Sequence, residues 1–314
     1  MITVVIPTHN PREEILRSTI EGLLRQTLST EQWRLLLIDN ASSTALEDDW
    51  VEWHPQGEIV REERLGLTHA RLKALELVTE GLIVWVDDDN RLHPTYLEAA
   101  EKAFEFEASP DLGAAGGKSI ANYLETPPQW FEEGLAPLGC RDLGEEGIIA
   151  SWDSNRPEYP PCAPIGAGMV TRREALEPWY ESVLQDPLRQ QLGRSGTRLT
   201  SGEDNDMNLS MLRNGWQVAY FPQLELTHSI PAGRLTQSYL SRMARASFRD
   251  FVRVLDLHGI RPWPAIPEWS VWPRLLKAGL QVGAWKGPAE RIRWNGLRGQ
   301  YEGRALLQSR ASAA

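Results

Sequence analysis

Three short apolar runs, residues 2–6 (Ile-Thr-Val-Val-Ile), 35–38 and 82–86, are separated by segments of helical periodicity. Such runs bounded by polar residues read as buried strands. Strand–helix–strand alternation is the pattern of a mostly parallel central sheet flanked by helices. A further strand is expected near Ile59 and Val60. After the first run, Asn10 reads as an N-cap, Pro11 as the first helical residue and Glu13 as the third. Together they open a helix that turns Ile15, Leu16, Ile20, Leu23 and Leu24 inward. Residues 68–78 read as the next helix. In such sheets ligands bind beyond the carboxyl ends of the strands. Polar residues follow all three runs: Pro7-Thr8-His9-Asn10, Asp39 to Ser43, and Asp87 to Asn90. The pattern predicts that they converge on one crevice.

The chain has 314 residues, 41% of them apolar, which is enough for a sizeable core. Residues 120–162 lack periodicity and read as a loop-rich insertion able to cover a pocket. Order returns at 165–170, with a helix from about Arg173, another from Glu203 to Gly215 and a strand at 217–221. Beyond Arg234 the pattern becomes helical, with many arginines and Trp263, Trp269, Trp272, Trp285 and Trp294. A boundary near Pro231 divides the chain into a catalytic domain, 1–232, and a basic, Trp-rich helical extension, 233–314.

The net charge of −10 conceals an asymmetry. Residues 234–314 carry 14 Lys/Arg against 5 Asp/Glu, and the rest carries 19 against 38. Cys140 and Cys162 are the two cysteines, in no metal-like spacing, as expected of a reducing compartment. No apolar run suggests a signal peptide or a membrane span, so the reading is cytoplasmic.

Asp87, Asp88 and Asp89 follow the third run directly. Adjacent carboxylates beside a buried strand repel one another unless something positive is near. A hard divalent cation supplies that charge, and Mg²⁺ typically links one or two carboxylates to substrate phosphates. Alternation would set Asp87 and Asp89 on one side and Asp88 on the other. The competing reading is a solvated acidic turn.

Residues Val4 to Asn10, Leu37-Ile38-Asp39-Asn40-Ala41-Ser42, Gly66-Leu67-Thr68-His69-Ala70-Arg71 and Val86-Asp87-Asp88-Asp89 resemble the GT-A (nucleotide-diphospho-sugar transferase) fold of family 2 glycosyltransferases. Gly166-Ala167-Gly168-Met169 and Gly202-Glu203-Asp204 extend the match in order, over roughly residues 1–230. Residues 229–235 resemble bacterial members that build surface polysaccharides.

The resemblance implies an inverting, metal-dependent transfer of sugar from a UDP-sugar to a glycan or lipid-linked acceptor. Pro7, Thr8, His9 and Asn10 would line the nucleotide pocket, and Asp39 would accept the N–H of uracil, or equally of guanine. Arg71 would stabilise that pocket and the acidic cluster; otherwise it is an ordinary exposed helix arginine. Asp89 would hold Mn²⁺ or Mg²⁺, Asp87 would contact ribose, sugar or metal, and Asp88 is a lesser candidate. His228 would complete the metal sphere. Asp204 would be the general base and Glu203 would orient the acceptor, although Ser201 and Asp204 also fit a capping box. Gly166 and Gly168 would let a ligand approach or relieve packing, and Trp152 would stack on a sugar or join the core. A nucleotidyltransferase or a non-catalytic sugar-nucleotide-binding module are the alternatives.

The basic tail interleaves Arg and Lys with Trp and Leu, as an interfacial helix on an anionic leaflet does. Packing against the acidic domain is the competing reading. No nucleic-acid-reading module is present.

Overall fold

A computed structural model describes residues 1–105 and 110–311; the last residues of the expected extension, 312–314, lie outside the described residues. The chain begins β1 (Ile2–Thr8), α1 (Glu13–Leu24), β2 (Trp33–Asn40), β3 (Gly57–Glu62), α2 (Leu67–Leu77) and β4 (Leu82–Trp85). It continues β5 (Asn90–Leu92), α3 (Tyr96–Ala103), β6 (Leu112–Gly116), β7 (Ser119–Tyr123), β8 (Ile148–Ala150) and β9 (Val170–Arg172). Then come α4 (Glu177–Gln185), α5 (Glu203–Arg213), β10 (Gln217–Tyr220) and β11 (Leu226–Ile230). Helices α6 (Gln237–Leu257), α7 (Val271–Val282) and α8 (Pro288–Ala311) complete the order.

Eight strands form one sheet in the order β3-β2-β1-β4-β9-β6-β10-β8. The neighbours β3, β2, β1 and β4 run parallel, as do β6 and β10, while β9 and β8 are antiparallel to their partners. The α/β class expected from the alternation is what the chain forms. Side chains alternate across the pleat. Val4, Ile6, Leu35, Leu37, Val84 and Val86 form a core with Leu16, Ile20 and Leu23 of α1 and Leu97 and Ala100 of α3. Leu24, expected inward, is 55% exposed, because it lies on the solvent side of the last turn of α1.

Two strands interrupt the stretch read as a loop-rich insertion. Strand β8 adds an antiparallel edge to β10, and β7 joins a second sheet in the order β5-β11-β7. Ser119 and Asn122 break up β7, β8 is only three residues long, and each is an edge with exposed side chains such as Ile120, Ile148 and Ile149.

The chain divides into two compact units. One comprises residues 1–122, 139–196 and 206–229; the other comprises 123–138, 197–205 and 230–314. In the second unit, α8 packs along α6 through Gly296, Gly299 and Gly303. A Cβ on Gly299 would stand 2.0 Å from the Arg245 carbonyl oxygen, so only glycine permits that approach. Arg245 and Arg298 both pair with Glu302 at 2.7 and 2.9 Å. Among the described residues, no helix is long and apolar enough to cross a membrane.

Candidate active site

Hydrogen bonds tie together the polar ends of β1, β2 and β4. The backbone N–H of Asn10 donates to Ser42 Oγ at 2.9 Å, and that of Ser43 donates to Asn10 Oδ1 at 2.8 Å. Asn10 sits at φ 48°, a left-handed conformation that asparagine tolerates through local side-chain bonds. This linking role replaces the expected cap: α1 starts at Glu13, with Arg12 in the cap position and Pro11 outside the helix. His9 Nδ1–H donates to the Asn40 carbonyl at 2.8 Å. Asn40 in turn holds the loop before α2, accepting from the Gly66 N–H at 2.7 Å and donating to the Arg64 carbonyl at 2.7 Å. Pro7 is buried in β1.

The third cluster joins through Asp88. The buried Thr8 hydroxyl donates to Asp88 Oδ2, and the Thr19 hydroxyl donates to the Asp88 carbonyl at 3.0 Å. Asp88 is thus turned back toward β1 and α1. Asp89 is buried on the other side, where Asn90 Nδ2 donates to its Oδ1 at 3.1 Å.

Asp39 is 1% exposed and heavily engaged. Its Oδ1 accepts from the Ser42 N–H at 3.1 Å; Oδ2 accepts from Leu46 N–H at 3.4 Å and from Arg61 at 2.7 Å. Burial pushes this carboxyl up. The Ser42 hydroxyl and N–H, Arg61 and Leu46 outweigh it and hold the group below its ordinary value. A carboxylate offers about four acceptor positions, so a base N–H arriving here has to displace one of these donors.

Arg71 is 2% exposed, which removes the ordinary-surface-arginine reading. It lies over the Trp85 ring at 5.4 Å and donates to Met207 Sδ at 3.3 Å. Its charge acts on Asp87. Burial raises the Asp87 carboxyl, the like charge of Asp89 raises it further, and Arg71, Arg194 and His228 oppose them.

Arg194 is the cation that sequence reading missed. The loop bearing it docks on the start of α2: Leu67 N–H donates to the Arg194 carbonyl at 2.8 Å, and Gly193 N–H donates to Thr68 Oγ1 at 3.2 Å. Upstream, Arg189 is anchored by the buried Asp206 at 2.8 Å. No local pattern marks this segment, since its placement depends on contacts across more than a hundred residues.

His228 reaches the cluster through strand pairing. β11 runs antiparallel to β5 with His228 opposite Asn90, and Ser229 N–H donates to the Asp89 carbonyl at 2.9 Å. The ring is buried, its Nε2 3.4 Å from Asp89 Oδ1 and its Nδ1 3.8 Å from Cys140 Sγ.

Glu203 and Asp204 open α5 and belong to the second unit, whose boundary crosses that helix after Asn205. Glu203 is buried and Asp204 half-buried. Since α5 starts at Glu203, Asp204 is its second residue and Ser201 precedes the cap position, one place out of register for a capping box. Gly168 takes the packing role: at φ 70°, its missing Cβ would stand 2.3 Å from Leu226 Cδ2 and 2.9 Å from the Tyr96 hydroxyl. Gly166 is buried, and Trp152 is half-buried beyond β8.

Among the described residues, no group of three His, Cys, Asp or Glu side chains gathers closely enough to hold a metal alone. The donors that do meet, Asp89 and His228, with Asp87 near enough to feel the charge of each, suit a hard divalent cation whose shell would be completed by substrate phosphate oxygens. The residues present fit such an ion.

A mostly parallel sheet flanked by helices, with an aspartate triplet, a histidine and two arginines beyond its strand ends, has the architecture of the GT-A fold. The chain belongs to glycosyl transferase family 2, whose model matches residues 3–161. It is 26% identical over 146 residues to a glucosyl-dolichyl phosphate glucuronosyltransferase of Haloferax volcanii, covering 46% of each chain. The chain spans less than half the length of the curated relatives it matches. Its fold is similar to that of mannosyltransferase PcManGT from Pyrobaculum calidifontis in complex with GDP-Man and Mn²⁺ (TM-score 0.52, 19% identity, 100% of this chain and 75% of that one). It is also similar to S. aureus TarS 1-349 in complex with UDP-GlcNAc (TM-score 0.50, 12% identity, 99% and 92%).

Proposed function

We propose that this chain transfers a sugar from a nucleoside-diphosphate sugar, UDP-linked in the first instance, to a hydroxyl of a glycan or lipid-linked acceptor, with inversion. The observation that carries the reading is the meeting of Asp87, Asp89 and His228 with the cations Arg71 and Arg194 at the strand ends. Paired carboxylates facing two arginines are arranged to receive a metal–diphosphate, where acid and cation are both needed.

In this reading Asp89 and His228 hold Mn²⁺ or Mg²⁺ together with Asp87. Bound there, such an ion would offset the negative charge of the diphosphate leaving group. Ligation needs His228 Nε2 bare, which leaves the ring proton on Nδ1, facing Cys140 Sγ. Arg194 and Arg71 bind the diphosphate oxygens and favour the charged form of Asp87, against the burial and the Asp89 charge that leave its carboxyl above the ordinary value. Thr8 fixes Asp88, and through it the turn that aims Asp87 and Asp89. Pro7, His9, Asn10 and Asp39 shape the pocket for base and ribose, with Asp39 also holding Arg61 in place. Asp204 takes the proton from the acceptor hydroxyl as it attacks the anomeric carbon, and Glu203 orients that acceptor. Trp152 and Gly166 border the sugar.

The ligands of the two similar folds, UDP-GlcNAc for TarS and GDP-Man with Mn²⁺ for PcManGT, support a nucleotide-sugar donor and leave the base as the variable. The lipid-linked substrate in the name of the H. volcanii relative supports a lipid-linked acceptor. The test is calorimetric titration of UDP and of GDP with Mn²⁺, without Mn²⁺, and against Asp89→Ala. Metal-dependent UDP binding lost in the variant is expected. GDP binding in its place would change the donor, and no binding of either nucleotide would sink the reading.

A further inference from the structure

Helix α7 has two apolar faces. Val271, Leu275, Ala278 and Gly279 are buried on the inner one, where Trp294 of α8 donates from Nε1 to the Leu275 carbonyl at 3.0 Å. A helix with one face packed ordinarily turns polar residues outward. Here the outer stripe is Trp272, Leu276 and Leu280, continued by Trp269 before the helix and Trp285 after it. These five side chains are between 63% and 78% exposed. Positions 269, 272, 276 and 280 follow helical spacing, so they form one ridge rather than scattered exceptions. The Trp272 ring is braced by the Arg298 guanidinium at 5.7 Å, which holds it outward.

The charge around the ridge selects what covers it. Arg274, Lys277 and Lys286 are exposed among these apolar residues, and no Asp or Glu occurs between Glu268 and Glu290. A second copy docking through this ridge in a two-fold contact would bring the same basic residues against themselves. An anionic lipid surface does the opposite. It accepts Trp and Leu at the level of the headgroups, while Arg and Lys extend their charged ends to lipid phosphates. Gly283, the left-handed C-cap of α7 at φ 68°, turns the chain so that Trp285 and Lys286 follow the helix as a second short anchor.

We infer that the Trp269–Trp285 ridge is a docking surface for an anionic bilayer, lying in the interface without crossing it. The inference stands on the second unit alone and does not depend on the active-site assignment. It is tested by sedimenting the full chain with phosphatidylcholine vesicles, with and without about a third phosphatidylglycerol. The expected result is partitioning about tenfold stronger with the anionic lipid, and loss of that binding in Trp272→Ser/Leu276→Ser/Leu280→Ser. A second variant, Arg274→Glu/Lys277→Glu, leaves the apolar side chains in place and is expected to lose the preference for anionic lipid. No sedimentation with either vesicle overturns the inference, as does binding that both variants retain. Concentration-dependent self-association abolished by the triple variant, without vesicle binding, assigns the ridge to a second copy and overturns it equally.

Discussion

His228 Nε2 stands 3.4 Å from Asp89 Oδ1 because the register of β11 on β5 sets His228 opposite Asn90. Two groups so placed would share one ion in the proposed site. Asp89→Ala is expected to abolish metal-dependent nucleotide binding. His228→Ala is expected to weaken it by about 10- to 100-fold, the range typical when one member of a ligand set or its support is removed. Titrating Mn²⁺ at fixed UDP checks both. Equal Mn²⁺ affinity in wild type and His228→Ala would remove the histidine from the ligand set.

Arg194 and Arg71 face the same carboxylate from different settings, so their variants should differ in kind. Arg71 is buried against Trp85, and Arg71→Ala leaves a cavity and takes away one of the charges that offset the burial of Asp87, at a cost of about 3 kcal/mol in unfolding free energy. Arg194 is half-buried on a docked loop. Arg194→Ala should stay within about 1 kcal/mol of wild type in stability and lose about tenfold in affinity for UDP while binding uridine unchanged. Denaturant melts and paired titrations separate these outcomes. A parallel loss for uridine would mean that Arg194 acts on the base or the fold and not on the diphosphate.

The reach of the sequence differs by element. β1, β2 and β4 were legible because each is a continuous apolar run, and their polar ends had to gather once the strands lay parallel. The Asp triplet and Arg71 were legible through the resemblance. β7 and β8 were not, because short edge strands with exposed side chains carry no periodicity. Asn10 misled because a cap and a left-handed link use the same residue type, and only the Ser42 and Ser43 bonds distinguish them. Arg194 left no local mark, since it is placed by the start of α2, remote in sequence.

Asp204 lies in the first turn of α5, where asparagine preserves shape and most hydrogen bonding. Asp204→Asn is therefore expected to leave UDP binding and stability near wild type while lowering turnover by about 10²- to 10⁴-fold, the contribution typical of general-base catalysis. Donor turnover with an acceptor, measured beside nucleotide titration, checks the split. Full turnover in the variant would move the base elsewhere.

Asp39 ties acid stability to the base pocket. Its carboxyl is held below the ordinary value of about 3.9. A carboxyl depressed in the folded state contributes stability that is fully present above the unfolded value and lost as pH falls through the folded one. The pair it forms with the partly exposed Arg61 is screened by water, so the buried Ser42, through its N–H and hydroxyl, carries most of the effect. Asp39→Asn keeps one acceptor oxygen but sets an amide against donors, which is expected to cost about 1–3 kcal/mol at neutral pH. The difference from wild type should shrink as pH falls below about 4, where the unfolded carboxyl takes up its proton ahead of the folded one. Thermal melts of both chains from neutral to acid pH measure this. A difference constant across that range would show that Asp39 stabilises the loop by shape and not by charge.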